Sequence, residues 1–184
     1  MRRFKSRYHF LFLNMKFSIS LLVVVGMFLM HSRSIPTEEK YKCLPCGLEC
    51  DNVEYSGGGK CDHCGMELVK RSTIIFKTIK PAEICNYISK HPSAILLDVR
   101  TKEEFIGIAE PNFGTLKNAI NIPIGEINDR IGELAKYKNR ELVVFCSHSH
   151  RSPQVSYLLT QNGFKNVANM SGGMSVMTDP SCKR

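Results

Sequence analysis

Leu142-Val-Val-Phe-Cys-Ser-His-Ser-His-Arg-Ser-Pro153 joins three signals in one short stretch: a strand, a tight loop and a helix start. Leu142 to Phe145 is apolar, rich in Val and Phe and bounded by polar sequence, the pattern of a strand buried on both faces. Ser152-Pro153 gives a helix start, with Ser as N-cap and Pro at the first helical position. Val155, Leu158 and Leu159 then fall on one helical face, and Gly163 is placed to end the helix. Cys146 therefore leaves the end of a strand, and Ser147 to Arg151 turn the chain into a helix. In an α/β sheet, ligands bind outside the carboxyl ends of the strands. A tight loop there aims N–H groups at an anion, and the helix N-terminus and Arg151 add positive potential beside the sulfur. That is the setting of a cysteine nucleophile, against the ordinary alternative of a buried core thiol.

Outward from this stretch, apolar runs alternate with helical spacing. Thr73 to Phe76 reads as a first strand and Ala94 to Val99 as a second, fully buried one. Between them Pro81 to Lys90 reads as a helix with Ile84 and Ile88 inward and Cys85 near its buried side. Thr101 caps a short helix, with Glu104 in capping-box position. Lys117 to Ile122 holds a third strand, Ile124 to Ala135 a helix with Ile127, Ile131 and Leu134 inward, and Val167 to Met170 the final strand. This alternation predicts an α/β fold, a parallel sheet covered by helices on both faces. Cys182 reads as a free thiol in a tail, and His91 as a turn residue.

Cys146-x4-Arg151 after an apolar strand resembles the active loop of the rhodanese family, the single-domain sulfurtransferases. Leu96-Leu97-Asp98-Val99-Arg100 with Glu103-Glu104-Phe105, Ala119-Ile120-Asn121-Ile122-Pro123, Asn162-Gly163-Phe164-Lys165-Asn166-Val167 and Ser171-Gly172-Gly173 resemble further elements of that family, in its order. Three features depart: Ser149 stands where the family usually carries Gly, Gly114-Thr115 replaces a common Gly-His, and the usual closing helix is expected to be short or missing. The resemblance implies a rhodanese-like domain over residues 73–178. It also implies that Cys146 takes sulfane sulfur from thiosulfate or a persulfide, rests as a persulfide, and passes the sulfur to a thiol acceptor, with no cofactor required. Ser147, His148, Ser149 and His150 would line the substrate, the two histidines facing solvent. Arg151 would hold an anionic donor or anchor the loop, and Asp98 and Arg100 would brace it. Two other classes compete: a Cys-dependent phosphatase, whose loop is one residue longer, and a non-enzymatic metal-handling protein on the same scaffold.

A chain of 184 residues suits one full domain with something small attached. Its net charge is +8, but six of the 25 Lys and Arg fall in residues 1–34 with no acid, leaving 19 basic against 17 acidic residues. The remainder offers no clustered basic face, so nucleic acid is not an expected partner. Residues 1–34 read as a targeting segment: Arg2, Arg3, Lys5, Arg7 and Lys16 precede an apolar run from Phe17 to Met30, short for a membrane span. A signal peptide ending near Ser34, an anchor through residues 10–30, and a start at Met15 are the alternatives; each places the protein outside the cytoplasm, for instance in a periplasm.

Residues 36–70 carry Cys43-Leu-Pro-Cys46 and, after fourteen residues, Cys61-Asp-His-Cys64. Paired Cys-x2-Cys turns, each followed by a glycine (Gly47, Gly65), predict a metal held by Cys43, Cys46, Cys61 and Cys64. Soft sulfur suits zinc or Cu(I), and with little apolar sequence the metal would supply folding free energy. Cys50, His63 and Met66 stand as alternative ligands. Tyr41-Lys42-Cys43 and Cys61-Asp-His-Cys64-Gly65-Met66-Glu67-Leu68 also resemble the small heavy-metal-binding domain found beside metal efflux proteins, although that family often has His at the position of Cys46. The competing readings are a structural zinc ribbon and a disulfide-stapled knob, the latter at home in an oxidising compartment.

Overall fold

Asp98, Phe145 and Met170 end three neighbouring strands of a five-stranded sheet in the computed structural model, which describes residues 38–184. The targeting segment expected at residues 1–34 lies outside the described residues. Among the described residues no helix is long and apolar enough to cross a membrane. The strands of the large sheet are β4 (Lys77–Ile79), β5 (Ile95–Asp98), β6 (Ile120–Asn121), β7 (Glu141–Phe145) and β8 (Asn166–Met170), in the order β4-β8-β7-β5-β6. Every pairing is parallel, with Leu97 opposite Val144 and Val144 opposite Asn169 at the centre. The expected parallel α/β sheet is thus present.

Side-chain alternation divides the sheet into two apolar faces. Leu142 and Val144 of β7, Leu97 of β5 and Val167 of β8 point to one side; Val143, Phe145, Leu96, Ala168 and Met170 point to the other. The first face is covered by helices α3 (Ile127–Arg130) and α4 (Arg151–Gln161), through Ile127, Val155 and Leu159, and the second by α1 (Ile84–Lys90), through Ile84 and Cys85. Helix α2 (Lys102–Phe105) follows β5 and opens with the expected capping box: Thr101 accepts from the Glu104 N–H, and Glu104 accepts from the Thr101 N–H. The predicted helix over residues 124–135 is broken into short 3-10 and α turns, yet Ile127 and Leu134 are buried as expected.

Two expectations are corrected here. The first strand of the sheet is Lys77–Ile79, not Thr73 to Phe76. Ile74-Ile75-Phe76 looked like a buried strand, but Ile75 is 65% exposed and the ladder with β8 begins at Lys77 opposite Ala168. An edge strand has one solvated side and does not need a continuous apolar run. Cys182 is not a free thiol: it is disulfide-bonded to Cys85, fastening the C-terminal tail to α1 across 97 residues of sequence.

The cysteine-rich segment forms a small antiparallel sheet, β1 (Tyr41–Lys42), β3 (Glu67–Lys70) and β2 (Gly59–Lys60), in the order β1-β3-β2. Cys43, Leu44, Cys46, Cys50, Cys61 and Met66 are buried in the same apolar cluster as Phe76, Val144, Val155 and Leu159. Asn169 at the end of β8 donates its side-chain amide to the Pro45 carbonyl at 3.0 Å, and Thr73 Oγ1 lies 3.0 Å from Tyr157 OH. The segment therefore packs on the α4 face of the large sheet.

Candidate active site

Cys146 is the first residue past β7, so its position follows from the central strand, and it is fully buried. The N–H of Ser149 donates to its Sγ at 3.2 Å, and Ser152 Oγ stands 3.4 Å from the sulfur. Ser149 holds this geometry at φ +66, a left-handed conformation that a non-glycine residue adopts at a cost of about 1–2 kcal/mol. The loop folds so tightly that α4 already begins at Arg151, with His150 at the cap position. Ser152 is thus inside the helix, not its cap, and its hydroxyl faces the Cys146 sulfur.

A turn outside the loop fixes its backbone. The N–H groups of Met174 and Ser175 donate to the carbonyls of Cys146 and Ser147 at 2.8 and 3.0 Å. Gly173 makes this approach possible, at φ +69, because a Cβ there would stand 2.5 Å from the Cys146 carbonyl oxygen and closer still to that of Ser147. Where the closing helix was expected to be short or missing, the chain forms the 3-10 turn Met174–Val176.

Beneath the loop lies a compact ionic knot. Arg151 grips Glu104 with both guanidinium nitrogens, Nη1 to Oε2 at 2.6 Å and Nη2 to Oε1 at 2.7 Å. Ser147 Oγ lies 2.6 Å from Glu104 Oε1 and 2.7 Å from Glu110 Oε2, donating its single proton to one or the other, and accepts from Arg151 Nη2 at 3.1 Å. Burial alone would push the Glu104 carboxyl up, but the hydrogen bonds from Arg151, Ser147 and the Thr101 N–H outweigh it and hold Glu104 well below the usual carboxylate range. Glu104 in turn raises Arg151, with the sulfur of Cys146 and Glu110 adding to the effect. Thr101-x-x-Glu104 announced the cap but not the ion pair, and Glu110, a loop residue at φ +53, carried no sequence signal at all.

The other predicted residues take distinct places. Asp98 and Arg100 are fully buried and pair with each other, Nη2 to Oδ2 at 2.7 Å. Arg100 also donates to the Gly114 carbonyl, and Thr115 Oγ1 donates to Asp98 Oδ2 at 2.9 Å. This pair ties the end of β5 to the segment before β6; Val99 N–H then reaches the Phe145 carbonyl beside Cys146. His148 and His150 are exposed, His148 resting edge-on against Phe113. Ser147 and Ser149 are buried; the Ser147 hydroxyl is committed to the carboxylates, whereas Ser149 Oγ has no partner among the described residues.

In the cysteine-rich segment the Sγ atoms of Cys43, Cys50, Cys61 and Cys64 all lie within 4.8 Å of one another. Cys46, predicted as the fourth ligand, stands outside that tetrad, in a second group with Cys50 and Asp51.

The sequence profile of the rhodanese-like domain matches residues 81–179. Among curated proteins, the chain is 30% identical over 87 residues to the thiosulfate sulfurtransferase PspE of Escherichia coli, covering 47% of this chain and 77% of that protein. It is 27% identical over 101 residues to the tRNA uridine(34) hydroxylase of Buchnera aphidicola, covering 53% of this chain but only 30% of that enzyme. A solved rhodanese-like domain protein from Staphylococcus aureus is 29% identical, with 59% of this chain and 97% of that one covered and a TM-score of 0.48.

Proposed function

Since the chain belongs to the rhodanese-like domain family, we propose that it is an exported sulfurtransferase carrying sulfane sulfur on Cys146. The observation that carries this reading is the Ser149 N–H held 3.2 Å from Cys146 Sγ at the carboxyl end of the central strand. The Cys146 thiolate attacks the outer sulfur of thiosulfate. The sulfur–sulfur bond of the donor breaks, sulfite departs with the bonding pair, and Cys146 is left as a persulfide. A persulfide donor reacts in the same way and releases its thiolate. An acceptor thiolate then attacks the outer sulfur, becomes a persulfide itself and restores Cys146, a two-step covalent route. The Ser149 N–H is a donor for the anionic sulfur in both resting forms. The ordinary core-thiol reading explains the burial of Cys146 but not a strained loop that spends an N–H on its sulfur.

Kinship supports the sulfur chemistry: PspE is named a thiosulfate sulfurtransferase. The uridine hydroxylases share a segment covering only about 30% of their length, and their activity is not carried over. The phosphatase reading is disfavoured because Arg151, which would wrap a phosphate, has both terminal nitrogens on Glu104. Export rests on the basic-apolar residues 1–34, and the Cys85–Cys182 disulfide suits the oxidising surroundings that export would give.

The test is mass spectrometry of the purified protein after thiosulfate treatment, with peptide mapping. One added sulfur on Cys146, its loss on adding a small thiol, and neither event in Cys146→Ser are expected. Addition elsewhere, or transfer undiminished in Cys146→Ser, rejects the mechanism. Cys146-dependent release of phosphate from an aryl phosphate would favour the phosphatase instead.

A further inference from the structure

The sulfur-transfer chemistry makes no use of the five thiols of the cysteine-rich segment. Cys43, Cys46, Cys50 and Cys61 are buried and Cys64 half-buried, and none is in a disulfide, although Cys43 and Cys64 sulfurs approach to 3.0 Å. Five unpaired thiols packed together have little to offer one another as hydrogen-bond partners, since the S–H group is a weak donor and acceptor. Four of them, Cys43, Cys50, Cys61 and Cys64, approach one another within 4.8 Å. Four thiolates around one tetrahedral zinc ion, at a Zn–S bond of about 2.3 Å, have sulfurs on the order of 3.8 Å apart. The tetrad reaches that spacing with changes in sulfur–sulfur distance of about 1 Å or less.

The local backbone explains why Cys50 and not Cys46 completes the set. The second pair forms a true knuckle: the Gly65 N–H donates to the Cys61 carbonyl at 2.7 Å, and the Cys61 N–H to the Met66 carbonyl at 2.8 Å, which wraps the turn around the Cys61 and Cys64 sulfurs. The first pair cannot wrap likewise. Pro45 has no N–H to offer a sulfur, and its carbonyl is held by Asn169. Asp51 takes the next two donors, Cys46 N–H at 2.9 Å and Gly47 N–H at 2.8 Å, and accepts from Cys46 Sγ at 3.3 Å. Cys46 is thereby drawn to a carboxylate. The 3-10 turn Glu49–Asn52 carries Cys50 into the position left open.

We propose that Cys43, Cys50, Cys61 and Cys64 form a closed four-thiolate site for one zinc(II) ion, with Cys46 held outside it by Asp51. Four protein ligands and no open position make the site structural, not hydrolytic. It holds this side of the fold together as a staple would, in the absence of disulfides there.

The full chain, purified with zinc, tests this directly. Wild type and Cys46→Ser should each contain about one equivalent, and cobalt(II) exchanged into either should give the same four-thiolate charge-transfer and d–d spectrum. Cys50→Ser should lose the ion or shift to a three-thiolate spectrum. Cys46→Ala, judged folded by near-ultraviolet circular dichroism, serves should Cys46→Ser fail to fold, and retention of a four-thiolate spectrum without Cys46 is decisive even if Cys50→Ser does not fold. A three-thiolate spectrum in the Cys46 variants, full binding by Cys50→Ser, or a wild type without metal overturns the assignment. None of these readouts involves Cys146, so failure of sulfur transfer and failure of the site are separate results.

Discussion

Replacing Glu104 by Gln keeps its size and removes its charge beneath the active loop. The carboxylate accepts two hydrogen bonds from Arg151 and one from the Thr101 N–H, and shares the Ser147 hydroxyl with Glu110. An amide has one acceptor oxygen, so its NH2 group must face a donor of Arg151 or Thr101. Removing one partner of a buried ion pair costs about 3–5 kcal/mol, and Arg151 is 28% exposed, which places the loss near 3 kcal/mol. Urea denaturation of the full chain at pH 7 measures it. The pH dependence separates this cause from general damage. Glu104 is depressed in the folded protein, so its contribution is complete above the unfolded value of about 4.3 and is lost as pH falls through the acid range towards the folded one. Within that window wild type should lose stability faster than Glu104→Gln by about 1.4 kcal/mol per pH unit. The gap between the two should therefore narrow in acid. A loss below about 1 kcal/mol at pH 7, or a gap that stays constant down to pH 3, would refute the ion pair as the loop's support.

Other perturbations address the remaining supports. Gly173→Ala forces a methyl group against the Cys146 and Ser147 carbonyls; it should cost at least about 3 kcal/mol in denaturation midpoints and abolish sulfur transfer, and a fully active, fully stable variant would contradict the described packing. Cys182→Ser opens a loop spanning 97 residues and should lower stability by about 3–4 kcal/mol under oxidising conditions, with no difference from wild type once both are reduced. A fusion of residues 1–40 to a reporter active only outside the cytoplasm should give signal, with the mature chain beginning near Ile35; a cytoplasmic product argues against export.

The sheet was legible because its strands are buried on both faces, so Leu142 to Phe145 and Ala94 to Val99 stand out as apolar runs. The edge strand was not, since Lys77 and Thr78 show no such run and the preceding Ile74-Ile75-Phe76 does. Cys146 and Arg151 were visible through their spacing. What surrounds them was hidden: the Glu104–Arg151 pair joins residues 47 apart, and Glu110 arrives from a loop without pattern. Ser152 misled because Ser-Pro favours a helix start, whereas the loop's tight turn had already begun the helix at Arg151. Spacing likewise grouped Cys46 with Cys43, Cys61 and Cys64, whereas the sulfurs that gather are those of Cys43, Cys50, Cys61 and Cys64, and Asp51 takes the N–H groups of Cys46 and Gly47, which spacing cannot register.

The burial of Leu44 and the cysteines against Phe76, Val155 and Leu159 bears on how the protein can be divided. A fragment starting at Thr73 would not be a trimmed enzyme but one with a wall removed. It would present the apolar side of α4 to water and leave the Asn169 side-chain amide, which now reaches Pro45, without its carbonyl partner. Asn169 lies one residue before Met170 and four before Gly173, the residue on which the active loop rests. The chain from Glu38 to Arg184 should accordingly melt as a single cooperative unit, and a shortened clone would give aggregation and poor activity even though every residue touching the sulfur is present.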